Sequence, residues 1–358
     1  MSDTRKILER GVGGFSSLPD GYERVLRRRD RKRRNERIAT VLVALAITMA
    51  LIAVGTRIQR RDAPIPVSVI PKVGAVGRGL SLVDPDTGKI TPLSRTRIAR
   101  TLGGLAISPD GTELAFTRRM GGRFRYQIFV MGADGGGIQQ LTHQPLGAYA
   151  PAWSPSGDQI AFISDAGNGP GNGLDLFVMD ADGSSVRQVS RTTDMNERIA
   201  VWSPDGSRLA FEASTTSGDS IGIADVSTGV TSLISRSVAA AESGLAAAAE
   251  PAWSPDGSWI AFEGAGASGF QHGKIWLMHP DGTDEHILVG SMGVPPEESS
   301  PTWSPDGRQI AYCQSSVPGR SRCSIAIVDI ATGTVRKVAT NATDVFDWSP
   351  RGDLVVLG

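Results

Sequence analysis

The chain has 358 residues, 37 Lys and Arg against 37 Asp and Glu, and 43 Gly, which allows one or two domains with a substantial core. Its balanced charge excludes a bulk nucleic-acid binder. The balance hides an asymmetry, because the stretch RVLRRRDRKRRNER at 24–37 concentrates Arg and Lys and leaves the remainder mildly acidic.

That basic stretch stands directly before IATVLVALAITMALIAVGT at 38–56. As a helix rising about 1.5 Å per residue, the apolar run spans about 28 Å, close to the hydrocarbon core of a bilayer. Nine Lys or Arg lie at 24–37 and three just after the run, at Arg57, Arg60 and Arg61. The positive-inside rule then keeps residues 1–37 cytoplasmic, as a basic tail, and places everything beyond Arg57 outside. Two plainer readings compete: a cleaved signal peptide, with AVG at 53–55 as the cleavage site, and a buried helix of a soluble protein. The long charged leader, and an apolar run exceeding the roughly 7–15 residues of a signal, favour an uncleaved signal-anchor. The basic stretch itself reads as a topology-setting flank touching anionic lipid, with no nucleic acid as partner. Residues 57–78, with Pro64, Pro66 and Pro71, read as an extended extracytoplasmic linker of roughly 70 Å reach.

Beyond the linker one motif recurs. WSPDG stands at 202–206, 253–257 and 303–307, WSPSG at 153–157, WSPRG at 348–352 and ISPDG at 107–111. Their serines, Ser108, Ser154, Ser203, Ser254, Ser304 and Ser349, are spaced by 46, 49, 51, 50 and 45 residues, a near-constant period that marks a repeat architecture. In each turn Ser suits the first position, Pro pre-sets φ at the second, Asp tolerates the third and Gly takes a positive φ. A short apolar strand follows each turn: ELAFT at 113–117, QIAFI at 159–163, RLAFE at 208–212, WIAFE at 259–263 and QIAYC at 309–313. A variable loop and a related hairpin, such as LDLFVMDADGSSVRQVS at 174–190, close the unit. Four short strands, A to D, in a period near 50 are the signature of a β-propeller blade. The repeated Trp153, Trp202, Trp253, Trp303 and Trp348 are expected to fill the space between adjacent sheets.

The sixth marker supplies only strands A and B, in DWSPRGDLVVLG at 347–358, while GLSLVDPDTGKITPLS at 79–94 has the pattern of a C–D hairpin with no A–B pair before it. The ring is therefore expected to close by pairing strands from both ends of the chain, which removes free sheet edges.

The pattern PAWSPDG…IAF…IWLMHPDGT resembles the TolB-like, WD-type β-propeller repeat, over roughly residues 79–358. Blade one departs from it, with Ile107 in place of Trp. The resemblance implies an all-β, six-bladed propeller. It also implies kinship with the periplasmic partner of the Tol-Pal envelope system and with the propeller domains of prolyl-oligopeptidase-type enzymes. No separate N-terminal TolB domain is recognisable, which argues against a role in the Tol system itself. Because the repeat runs to Gly358, the expectation is a propeller without an oligopeptidase-type hydrolase domain.

In a propeller the short A–B and C–D turns share one face, and the B–C loops and D–A connections share the other. The second set is long and irregular here, as in SDAGNGPGNG at 164–173 and SRSVAAAESGLAAAAE at 235–250, so recognition belongs to that face. Candidate ligand-face residues near the entrances of the A strands are Tyr149, Arg198, Glu250, Ser300 and Asp344; the plain alternative is a solvated rim.

Tests for chemistry return little. GDSIG at 218–222 fits the G-x-S-x-G spacing with Ser220 as nucleophile, yet it opens a C strand rather than a strand-to-helix elbow. His272, His279 and His286 are spaced by seven, but on a loop and hairpin, where only the latter two can approach each other. DADG at 180–183 lacks the spacing of a calcium loop. No catalytic residue, metal or cofactor is assigned. Cys313 ends strand B of blade five and Cys323 starts strand C, so a disulfide across the hairpin is expected in an oxidising extracytoplasmic space.

The reading reached is a single-pass protein of the bacterial inner membrane, N-terminus cytoplasmic, whose external propeller binds a protein, peptide or envelope polymer without catalysis. The rivals are a sensor signalling through a cytoplasmic partner of the tail, and a polysaccharide lyase or hydrolase, for which His143 and His272 are the only histidines near the variable face.

Overall fold

The computed structural model describes residues 67–75, 80–94, 104–121, 126–144, 147–166, 173–235, 245, 247–266, 273–290, 296–316 and 322–357. The basic segment expected to form a tail, 1–37, the apolar run 38–56 and the first ten residues of the expected linker lie outside them. Among the described residues no helix is long and apolar enough to cross a membrane.

Six sheets, each built on four antiparallel strands, follow one another as blades. Blade three shows the pattern most fully, with strands Met195–Trp202, Arg208–Thr215, Gly218–Asp225 and Thr231–Leu233 in sequence order across the sheet. Blade six is composite: Asp344–Trp348 and Leu354–Leu357 supply strands A and B, and Leu80–Val83 and Ile90–Ser94 supply C and D. The seam runs Leu80↔Leu357, Ser81↔Val356, Leu82↔Val355 and Val83↔Leu354, the closure expected from the incomplete repeats at both ends.

Packing closes the same circle. Six apolar clusters lie one at each blade boundary; the last joins Leu80 and Val355 of blade six to Leu105, Leu114, Phe116 and Phe129 of blade one. Each Trp of the repeat is buried in such a cluster, facing the preceding blade, as Trp202 is beside Ala161, Ile163 and Leu176. The indole also does something the sequence reading missed. Trp202 Nε1 donates to the Ala152 carbonyl at 3.0 Å, Trp303 Nε1 to Ala252 at 3.1 Å and Trp348 Nε1 to Thr302 at 3.1 Å. Those carbonyls belong to the preceding A strand, so the indole adds a side-chain hydrogen bond between neighbouring blades. Ile107 of blade one contributes only apolar contact at its boundary.

The turn serine has a larger part than turn preference. Ser203 Oγ accepts the Arg208 N–H at 2.9 Å and donates to Asp205, whose carboxylate also takes the Ser207 N–H at 3.1 Å. Gly206, at φ +70°, then turns the chain into strand B. The turns also pack in a ring: Gly111 lies so close to Pro350 of blade six that a Cβ there would stand 3.3 Å from the proline Cδ.

One element differs from the expected tether. Val67–Ala75 is a β-strand that adds, in parallel, to the outer strand Val335–Ala342 of blade five, with Val67 opposite Val335 and Ala75 opposite Thr340. Part of the linker is thus an edge cover for blade five. Only 57–66 remains between the apolar run and this strand, a reach of roughly 33 Å.

Candidate functional site

The A strands of all six blades wall a central channel of about 620 Å³. Five of the six strands, all but that of blade one, enter it through an irregularity a few residues before the Trp. Register shifts fall between Tyr149 and Ala152, Glu197 and Ala200, Ala249 and Ala252, Ser299 and Thr302, and Val345 and Asp347. Three of these bulges place a non-glycine residue in the left-handed region, Ala150 at φ 49°, Glu250 at 52° and Ser300 at 52°. Each such residue costs about 1–2 kcal/mol of backbone strain. A bulge re-aims a side chain, and Glu250 and Ser300 line the channel as a result.

Of the five sequence candidates, the structure brings Glu250, Ser300 and Asp344 together in the channel wall. The Ser300 N–H donates to Glu250 Oε2 at 2.7 Å, a bond between blades five and four. Burial pushes the Glu250 carboxyl up to about 7, and the nearby Asp344 carboxylate adds to the rise. Tyr149 and Arg198 sit outside the wall. Tyr149 packs against the Tyr126 ring at 5.4 Å, and Arg198 is paired with Glu212 at 2.9 Å and reaches Ser214 Oγ at 3.3 Å.

Sequence reasoning missed further carboxylates at this end. Glu263 is buried, and its carboxyl is pushed well up, first by burial and then by Glu250, Glu297 and Glu212. Glu212 rises through burial, against the pull of Arg198. Asp347, in the wall, is pushed up to about 6 by burial while accepting the Trp348 N–H at 2.8 Å. A signal was present in the repeat. Glu212 and Glu263 stand where blades one, two and five carry Thr117, Ile163 and Cys313, and Asp347 stands where the other WSP motifs have Ala152, Val201, Ala252 and Thr302.

The remaining motifs find structural places. Ser220 is buried within the strand Gly218–Asp225. His279 stacks on Trp259 at 4.0 Å and His286 meets the same ring edge-on at 5.6 Å. In DADG the Asp180 N–H donates to the Ser184 carbonyl at 2.9 Å and closes the hairpin. Cys313 and Cys323 are joined by a disulfide with Cα atoms 5.5 Å apart. His272 lies outside the described residues, and among those described no three His, Cys, Asp or Glu side chains gather as a metal site.

Comparison with known proteins places this architecture. The TolB beta propeller domain family matches residues 87–246. Over 286 residues the chain is 30% identical to the Tol-Pal system protein TolB of Gluconobacter oxydans, covering 67% of this chain and 60% of that protein. Over 120 residues it is 30% identical to the uncharacterized peptidase YuxL of Bacillus subtilis, covering 32% of this chain and 17% of that protein. A solved TolB structure from Agrobacterium tumefaciens superposes with a TM-score of 0.62 at 18% identity, over 77% of this chain and 96% of that one.

Proposed function

This chain belongs to the TolB-like β-propeller family, and from that premise we propose that it is a binding module without catalysis, which takes a basic segment of a partner protein or peptide at the variable-face mouth of its channel. One observation carries the reading. Glu250 and Asp344 stand together in the wall, Glu263 is raised by Glu250, Glu297 and Glu212 around them, and Arg198 is committed to Glu212. Burial makes those carboxyls costly to ionise. A cationic side chain entering the mouth places positive charge beside the buried Glu250 and Glu263 carboxyls and recovers part of that cost, so basic segments are selected over acidic ones. The strained bulges at Glu250 and Ser300 belong to the same logic, because strain persists where the surrounding structure holds a side chain for a task.

The basic flank at 24–37, the apolar run and the disulfide support an extracytoplasmic propeller held at the inner membrane by a single span. Crosslinking intact cells that carry a tagged propeller, followed by identification of the captured proteins and glycans, tests the partner class. Calorimetric titration with Lys- and Arg-rich peptides tests the chemistry. Binding of basic but not acidic peptides, weakened at least about tenfold by Glu250→Gln at neutral pH, is the expected result. Equal affinity for both peptide classes would sink the proposal.

A further inference from the structure

Two blade junctions occupy the same register with opposite charge. In blades two and four, Phe162↔Phe177 and Phe262↔Trp276 are equivalent pairs of strands B and C, so Asp175 and Lys274, each two residues before the paired aromatic of strand C, are equivalent. On the following A strands, Glu197 and Glu298 each stand five residues before the Trp. The backbone agrees: the Glu197 N–H donates to Leu174 O and the Glu298 N–H to Gly273 O, both at 2.9 Å. At the second junction Lys274 Nζ meets Glu298 Oε2 at 2.8 Å, with both side chains 1% exposed. At the first, two carboxyl groups face that same position, and Asp175 and Glu197 are both fully buried. Glu197 Oε2 is buried without a hydrogen-bond partner.

Two buried carboxylates in contact with one electrostatic environment do not both ionise. We propose that Asp175 and Glu197 together hold one proton where Lys274 Nζ sits in the other junction, and that loss of this proton loosens the segment 189–196 that leads onto the variable face. The segment is fastened by the pair itself. Thr192 Oγ1 donates to Glu197 Oε1 at 2.9 Å, the Thr192 N–H reaches Asp175 Oδ1 at 3.3 Å, and Gln188 Nε2 donates to Asp175 Oδ2 at 2.8 Å. Arg191, Thr193, Asp194 and Asn196 are exposed, so opening this segment admits water to the pair.

Among the described residues, Arg187, Arg191, Asp194 and Arg198 are the other charged groups on the adjoining strand and segment. Arg187 of strand D donates to the Val226 carbonyl at 2.9 Å, Arg198 is held by Glu212 at 2.9 Å, and Arg191 and Asp194 face solvent. Burial pushes the Glu197 carboxyl up to about 7; the Thr192 hydroxyl pulls it down and Asp175 pushes it up again. A carboxyl raised on folding favours the closed state while protonated. The contribution is complete below its unfolded value, near 4.5, and is lost as pH rises through about 7.

Amide hydrogen exchange of Thr192 and Glu197, corrected for intrinsic rates and followed from pH 5 to 8.5 in the full chain, tests the proposal. Protection in the wild type is expected to fall on the order of a hundredfold across this range. Glu197→Gln removes the proton and Asp175→Lys installs the pairing of the other junction; either change flattens the profile, and Glu298→Gln leaves it in place. If Glu197→Gln does not fold, Asp175→Lys alone decides. A wild-type profile without pH dependence, one unchanged in both variants, or one shifted by calcium or a chelator, overturns the proposal.

Discussion

In strand A of blade three the chain leaves Trp202 into a turn where Asp205 is held down to about 2 by the Ser203 hydroxyl and then by the N–H and hydroxyl of Ser207. At the opposite end of the blade-four A strand, Glu250 is pushed up to about 7 because burial outweighs the Ser300 N–H it accepts. The same functional group is thus driven in opposite directions at the two ends of one repeated element. At the turn end water remains and local donors are plentiful, so the charged carboxylate is favoured. At the mouth, donors are few and water is withdrawn, so it is not. Regular sequence accompanies the first environment and irregular sequence the second, which separates what holds the ring from the face proposed to meet a ligand.

The largest break in that comparison comes from the turn end. Trp202 fills the boundary between blades two and three and ties it to Ala152 O. Trp202→Ala is expected to cost about 3–5 kcal/mol, from the cavity and the lost bond between the blades together. Denaturant unfolding measures it as a lowered midpoint. A loss under about 1 kcal/mol would mean that the Trp is rim and not core.

How much was legible follows from the same division. The six turns, the strands after them and the composite sixth blade could be read because each blade solves one packing problem and solves it with the same residues. The carboxylates at the mouth were harder. Glu250 and Asp344 were found by position, whereas Glu263 and Asp347 required noticing where single residues depart from an otherwise apolar or neutral repeat position. The strand Val67–Ala75 was not foreseen, because a parallel edge strand has no turn partner in sequence and its prolines read as tether. The pairing of Asp175 with Glu197 was invisible for a related reason: it joins strand C of one blade to strand A of the next, and no local pattern reports on that.

At the mouth, Glu250→Gln sharpens the contrast and carries the next largest effect. The Glu250 carboxyl is raised in the fold, so its stabilising contribution is intact below about 4.5 and disappears as pH rises through about 7. Gln mimics the protonated acid at every pH. The variant is expected to match the wild type near pH 4 and to exceed it at pH 8 by about 1–2 kcal/mol, less than full burial would give because the side chain borders an open channel. Thermal unfolding at the two pH values measures the difference. A variant less stable than the wild type at pH 8 would place a charged, well-paired Glu250 in the folded protein.

Asp205→Asn probes the turn end with the opposite sign and the smallest effect. Asp205 is lowered on folding, so its contribution is present above about 4 and is lost as pH falls through about 2. Its carboxylate is exposed, and solvent screening leaves about 0.5 kcal/mol of the shift as stability. The amide keeps one acceptor for Ser203 and Ser207, so geometry survives and only charge assistance is removed. Unfolding curves should therefore separate slightly at pH 7 with the variant behind and merge near pH 2, opposite in sign to the Glu250 pattern, in which the curves also merge at low pH but part with the variant ahead. If both substitutions shifted stability in the same direction at pH 8, burial and local hydrogen bonding would not be the forces that distinguish the two ends of the A strand.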